Sequence, residues 1–169
     1  PSNFTRLCHD LIRQTKQGCA NCLRSDAIIG RCHLEGPIVQ PCLSGGLWDA
    51  GSSIVVGGHH VANWLIGQVR DETQSEENMR AYARQIGADE AAFMAAFAEV
   101  PSMSKARFEV IAKSFFTLAN QLSTTAFQNV QQARFITERK RAEDALAHEQ
   151  YLMRALMNNV PDHVYFKDC

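Results

Sequence analysis

Two adjacent glycines, Gly57 and Gly58, constrain the fold more than any other feature, because they separate two runs rich in β-branched and apolar residues. Gly-Gly takes φ > 0 at both positions of a two-residue hairpin loop, so residues 52–56 and 59–69 read as antiparallel strands joined by a tight turn. Such a loop fixes the pairing: Val56 opposite His59, Val55 opposite His60, Ile54 opposite Val61. Side chains alternate along a strand, so Ile54, Val56, Val61, Leu65 and Val69 share a face expected against the core. Gly51, Ser53, His60, Trp64 and Gln68 share the other. That second face sets small residues beside an indole and hydrogen-bonding groups, the make-up of a pocket wall for a small ligand. The competing role for the same residues is a sheet face covered by a helix, with Trp64 as a core aromatic. A preceding strand, residues 38–43, leads into Ser44-Gly45-Gly46 and delivers Leu47, Trp48 and Asp49 beside the hairpin. Trp48 is then placed to close the pocket, and Asp49 either accepts a hydroxyl hydrogen bond there or serves as a turn or cap residue.

Helices are expected on both sides of this sheet. Phe4, Leu7, Cys8, Leu11 and Ile12 recur at helical spacing behind a cap at Asn3, with Gly18 marking the end. A second helix over residues 19–29 turns Cys22, Leu23 and Ile29 inward and stops near Gly30. After Arg70, Ser75 caps a helix through Ile86 closed by Gly87, and Asp89 caps another through Ala98, ended before Pro101. From Ser104 a long helix begins, with Phe108, Ile111, Phe115, Leu118 and Leu122 at alternating steps of three and four, the seam spacing of a coiled coil. Phe116 and Ala119 widen that stripe, so its first part is expected to pack on the sheet domain as well. The seam breaks phase near residues 125–132 and resumes at Phe135, Ala142, Leu152 and Leu156. The charged run 137–144 has no Gly or Pro, and an exposed helix of this kind needs a partner to bury its apolar edge, which favours a parallel homodimer.

With 169 residues, 46% of them apolar, there is room for one domain of about 100 to 150 residues plus an extension. A formal charge of −1, with both signs mixed along the chain, gives no footprint for nucleic acid or an anionic membrane. No apolar run approaches the roughly 20 residues needed to cross a bilayer, and no signal-peptide start is present, so a cytoplasmic location is expected. The first residue is not Met and the chain stops abruptly at Cys169, so the sequence reads as a piece of a longer polypeptide.

Five of the six cysteines, Cys8, Cys19, Cys22, Cys32 and Cys42, lie in the first quarter of the chain. Without an export signal a disulfide framework is not expected. Cys19-Ala20-Asn21-Cys22 has metal-ligand spacing, and Cys8 and Cys42 would complete a four-thiolate site if the helices pack beside the strand. The residues leave three roles open: a metal ion on this cluster, thiols buried as small hydrophobes or lining a ligand pocket, and thiol redox sensing. Cys32-His33 falls in a loop and is not expected to ligate. His59 should face solvent, as should His148 and His163. No nucleophile elbow, phosphate-binding glycine motif or H-E-x-x-H signature is present, so no enzyme activity is expected of this segment.

The run from Cys42 through Ser44-Gly45-Gly46-Leu47-Trp48-Asp49-Ala50-Gly51, then Ile54-Val55-Val56-Gly57-Gly58 and Asn63-Trp64-Leu65-Ile66-Gly67-Gln68-Val69, resembles the PocR sensory domain. So do Phe4 to Ile12 with Cys8, and Cys22-Leu23-Arg24-Ser25-Asp26. The resemblance spans residues 1–133 and implies an α+β, PAS-like fold: a small antiparallel sheet flanked by helices with a long C-terminal signalling helix. It also implies a sensor of small hydrocarbon derivatives such as diols, coupled to output modules such as histidine kinases, and a pattern that includes Cys8, Cys22 and Cys42 without requiring Cys19, so a three-cysteine site with an open position stands beside the four-thiolate one. Members of the family usually begin with further strands before the Phe4 helix, so the domain here is expected to be partial at its N-terminus. Residues 134–152 then form a helical coiled-coil linker. Residues 153–169, with Ala155-Leu156-Met157-Asn158-Asn159-Val160-Pro161-Asp162, resemble the opening of a PAS domain.

Overall fold

A computed structural model of the protein describes residues 4–159. The expected Asn3 cap, His163, Cys169 and most of the PAS-like opening lie outside the described residues. A short π-helical turn, Leu7–Ile12, is followed by α1 (Lys16–Ile29), β1 (Ile38–Pro41), β2 (Trp48–Val56), β3 (His59–Val69), α2 (Glu76–Ile86), α3 (Glu90–Ala98) and α4 (Lys105–Asn159). The strands form one antiparallel sheet in the order β1-β2-β3. This is the α+β arrangement read from the sequence, a small sheet flanked by helices with a long C-terminal helix. The chain divides into two compact units, the first ending at Thr125 and the second beginning at Ala126.

The helix boundaries follow local chemistry. Ser75 and Asp89 accept from the backbone N–H of Asn78 and Ala92, and Gly87 closes α2 in the left-handed conformation, as expected. At the N-terminal end the expectation fails by one turn. Thr15, not Gly18, divides the first two helices: its hydroxyl accepts from Gly18 N at 3.0 Å, so Gly18 lies inside α1. The preceding segment is π-helical and not α-helical. Its widened turn still buries Leu7, Cys8 and Ile12 together.

The hairpin turn is as expected, with φ of 59° at Gly57 and 82° at Gly58, and Val56 and Val55 pair with His59 and His60. Beyond that the register departs. Ile54 pairs with Ala62, leaving Val61 as an extra residue, and the shift carries through Ser52 opposite Trp64 to Asp49 opposite Gly67. A second irregularity leaves Gln68 extra before Trp48 meets Val69. The two faces expected of β3 are therefore exchanged over residues 62–67. Val61, expected in the core, is exposed, and Leu65 turns to the face that had been assigned to Trp64.

Two cores result. Leu7, Ile12, Leu47, Met79, Ala83, Phe93 and Phe97 join the N-terminal turn to α2 and α3. Trp48 and Ala50 of β2 pack with Phe108 and Ala112 of α4, supported by Val39, Ile66 and Val69. Trp64 meets Phe115 edge-on at 5.3 Å, and Ser123 Oγ accepts from Val55 N at 2.9 Å. The sheet-facing row of α4 is thus Phe108, Ala112, Phe115, Ala119 and Ser123, while Leu118 and Leu122 of the expected seam stay exposed. Small residues in this row let the helix lie close to the strands.

Candidate functional site

The sheet face opposite α4 looks onto the N-terminal turn and α1, and between them lies a cavity of about 320 Å³. The helices supply Phe4, Cys8, Ile12, Cys22, Asp26 and Ile29 to its wall. The sheet supplies Asp49, Leu65 and Gln68, and the loop between β1 and β2 supplies Cys42, Ser44 and Leu47. The lining is mostly apolar with a few converging polar groups, which is the composition of small-molecule sites.

Asp49 is the charged centre of the sheet wall. Its side chain lies across β3 where Gly67 offers no obstacle; a Cβ there would collide with Asp49 Oδ1 and sit 2.9 Å from its Cα. The extra residue, Gln68, adopts φ 66° and so turns its backbone N–H onto Asp49 Oδ1 at 3.1 Å. A non-glycine residue in that conformation costs on the order of 1 to 3 kcal/mol, strain of the kind that collects at working sites. The Gln68 carboxamide oxygen accepts from both the backbone N–H and the hydroxyl of Thr5, at 2.7 and 3.1 Å, and so ties the bulge to the N-terminal segment. Burial raises the Asp49 carboxyl from 3.8 to about 6, against the lowering pull of the Gln68 N–H and the Cys42 thiol. Near pH 6 this group is balanced between accepting and donating a hydrogen bond.

Three of the four cysteines proposed from spacing reach the cavity, and Cys19 does not. Burial pushes the Cys8 thiol to about 11 and Cys42 to about 12, the latter reinforced by the nearby Asp49 charge. Burial also raises Cys22, partly offset by Arg13, whose Nε–H donates to its sulfur at 3.1 Å. Among the described residues no group of three or more His, Cys, Asp or Glu side chains is gathered so as to hold a metal ion. Burial favours the protonated thiol at Cys8, Cys22 and Cys42, and a metal ion would take them as thiolates.

The family model that describes the sensory domain found in PocR matches residues 1–127. The chain belongs to the PocR sensory-domain family. Comparison with curated proteins and with solved structures returns no significant match. PocR is a sensory domain, and this one accordingly has a sensory role in signalling. Among the described residues no helix is long and apolar enough to cross a membrane.

Within this PocR domain the six residues singled out for ligand contact divide into two sets. Cys42, Asp49 and Gln68 line the cavity. His60 sits exposed beside the hairpin turn, and Trp64 lies on the α4 face against Phe115. Trp48 is buried on that face too; its Nε1–H donates to Asp71 Oδ2 at 2.8 Å and the Lys105 ammonium lies 4.9 Å from the ring centroid. Trp64 thus lies on the face toward α4 but stays 37% exposed. The bulge at Val61 is the physical reason, since one extra residue moves every later side chain to the opposite face. Asp26 and Leu65 were missed as wall residues. Gly67 carried the available signal, because an isolated glycine within a strand marks a bulge or a close backbone approach.

Proposed function

We propose that this domain binds a small neutral hydrocarbon derivative, such as a diol or alcohol, in the cavity between the N-terminal helices and the sheet. The observation that carries the reading is the half-buried Asp49 carboxyl, positioned by a strained bulge in a mostly apolar chamber. A hydroxyl there finds a partner able to accept or donate, the thiols and Leu65 take the alkyl part, and no arginine lines the wall to clamp an anion.

The route to output runs through adjacent residues of β2. Asp49 faces the cavity and Trp48 faces Phe108, Lys105 and Asp71, so a ligand that repositions Asp49 acts on α4 across a single peptide unit. The bulge adds a second route. Two residues beyond Gln68, the Arg70 N–H donates to Pro101 O and Arg70 O accepts from Met103 N, which fastens the end of β3 to the approach of α4. A ligand shifts the packing of α4 only by its differential affinity for two states. The exposed Phe135, Leu146, Leu152 and Leu156 support a second copy as the partner of the later part of α4. The setting that fits is a cytoplasmic two-component or related regulator, with the helix leading into a PAS domain.

Calorimetric titration of the full chain with 1,2-diols and short alcohols tests this. Saturable binding is expected, weakened about tenfold by Asp49→Asn, which corresponds to one lost hydrogen bond of about 1.4 kcal/mol, and unchanged by Trp64→Ala. Absence of saturable binding by any of these compounds would sink the proposal.

A further inference from the structure

One guanidinium organises a corner of the cavity. Arg13 Nε–H donates to Cys22 Sγ at 3.1 Å, its Nη2 pairs with Asp26 Oδ2 at 2.9 Å, and its Cζ lies 4.1 Å from the centre of the Phe4 ring. All three of those partners line the cavity. Arg13 itself is held as the residue that closes the π-helical turn, its N–H donating to Cys8 O at 3.0 Å. Asp26 and the ring fix the guanidinium plane, so its contact with sulfur is set by two neighbours and is not an accident of one rotamer.

The three cavity thiols are consequently unequal. Cys42 receives the Ser25 hydroxyl and the Ser44 backbone N–H, both neutral donors, and faces the Asp49 carboxylate, which disfavours a thiolate. Cys8 is buried beside the Thr5 hydroxyl. Among the described residues Cys22 is the cavity thiol with a cation hydrogen-bonded to its sulfur; burial still holds this thiol above its ordinary value, and the guanidinium offsets part of that cost and stabilises charge building on sulfur as it attacks.

We propose that Cys22 is a covalent capture point for small aliphatic aldehydes, which it binds as a hemithioacetal with Arg13 as its activating partner. The proposal rests on the reading of the cavity as a ligand site and names a ligand class for it. The Cys22 sulfur attacks the carbonyl carbon; the S–H bond and the carbonyl π bond break, a C–S and an O–H bond form, and the thiol proton ends on the former carbonyl oxygen. No electrons are gained or lost and no co-reactant is needed. The adduct reverts when free aldehyde falls, as a sensor requires. The alkyl chain then occupies the volume bounded by Ile12, Ile29 and Leu65.

The test uses the full chain with Cys19, Cys32 and Cys169 replaced by serine, mixed with butanal carrying ¹³C at its carbonyl carbon. The expected result is a protein-bound resonance of a tetrahedral carbon at one per chain. Cys22→Ser abolishes it, Cys8→Ser and Cys42→Ser keep it, and Arg13→Met lowers the apparent affinity tenfold or more. An unchanged melting temperature of the Cys22→Ser variant, with calorimetric binding of 1-butanol to the chain that keeps Cys22, shows that loss of the resonance is not loss of the fold. A bound tetrahedral signal that survives Cys22→Ser overturns the assignment. Butanol binding with no butanal adduct overturns the covalent step and leaves the alcohol-binding reading standing; failure of both compounds overturns both.

Discussion

The two faces of the sheet are built from the same few residues of β2 and differ in nearly every physical respect. On one face Trp48 and Ala50 pack with Phe108 and Ala112, and the Trp48 indole N–H is met by Asp71. On the other, the neighbouring Asp49 looks into an open chamber, held there by a residue in a strained conformation. Strand alternation alone gives adjacent residues opposite surroundings. The difference gives the proposed route to output its physical basis: on that proposal a change at Asp49 passes through Trp48 to α4 because the α4 face is the packed one.

The comparison breaks most sharply if the packed face is emptied. Phe108 is 3% exposed and lies at the centre of the sheet–α4 contact. Phe108→Ala should therefore cost about 3 to 5 kcal/mol of unfolding free energy, the range for losing a buried phenylalanine ring and leaving a void. Leu65→Ala on the cavity side removes a side chain that is already 44% exposed and should cost less than half as much. Urea denaturation of both variants checks this; equal losses would mean the chamber is packed as tightly as the α4 face.

That contrast also explains how much of the molecule could be read in advance. The Gly57-Gly58 turn, the caps at Ser75 and Asp89 and the Gly87 stop each depend on one or two residues and their own backbone, so they are legible locally. The face assignment of Trp64 depends on the bulge at Val61, which has no glycine or proline to mark it and is imposed by tertiary packing, Ser123 of α4 taking the Val55 N–H. The candidate site was half legible for the same reason. Asp49, Gln68, Cys8, Cys22 and Cys42 were singled out and reach the cavity; Trp64 was grouped with them on a register that the bulge at Val61 undoes, His60 lies exposed beside the turn, and Trp48, placed there by the glycine loop before it, is buried against α4. Asp26 and the Arg13 contact to Cys22 come from the crossing of two helices, which no spacing within either one specifies.

The bulge gives a finer way to sharpen the comparison. Gln68→Ala keeps the residue at φ 66° and removes the carboxamide bonds to Thr5, whereas Gln68→Gly removes the bonds and also relieves the backbone. The glycine variant should be the more stable of the two by about 1 kcal/mol, a measure of the strain stored at the site. Both should bind ligand more weakly than the parent, because each frees the N-terminal segment from the sheet. An alanine variant as stable as the glycine variant would mean the positive φ carries no cost.

The smallest expected effect is a pH dependence that belongs to the cavity face alone. Asp49 is met from α1 by Asp26 and Cys22, from the N-terminal turn by Cys8, and from the loop after β1 by Cys42, and none of these is a cation. Burial raises its folded value from 3.8 to about 6, so between those limits the folded chain binds more protons than the unfolded one. The stabilising contribution is then fully present below about pH 4 and is lost as pH rises through about 6. Asp49→Asn, which is neutral throughout, should remove this component. The difference in melting temperature between variant and parent should therefore grow in the variant's favour from pH 4 to 6.5 and stay level above it. A difference that is flat across the range would place Asp49 in contact with solvent, and the chamber would then lose its one distinguishing polar group.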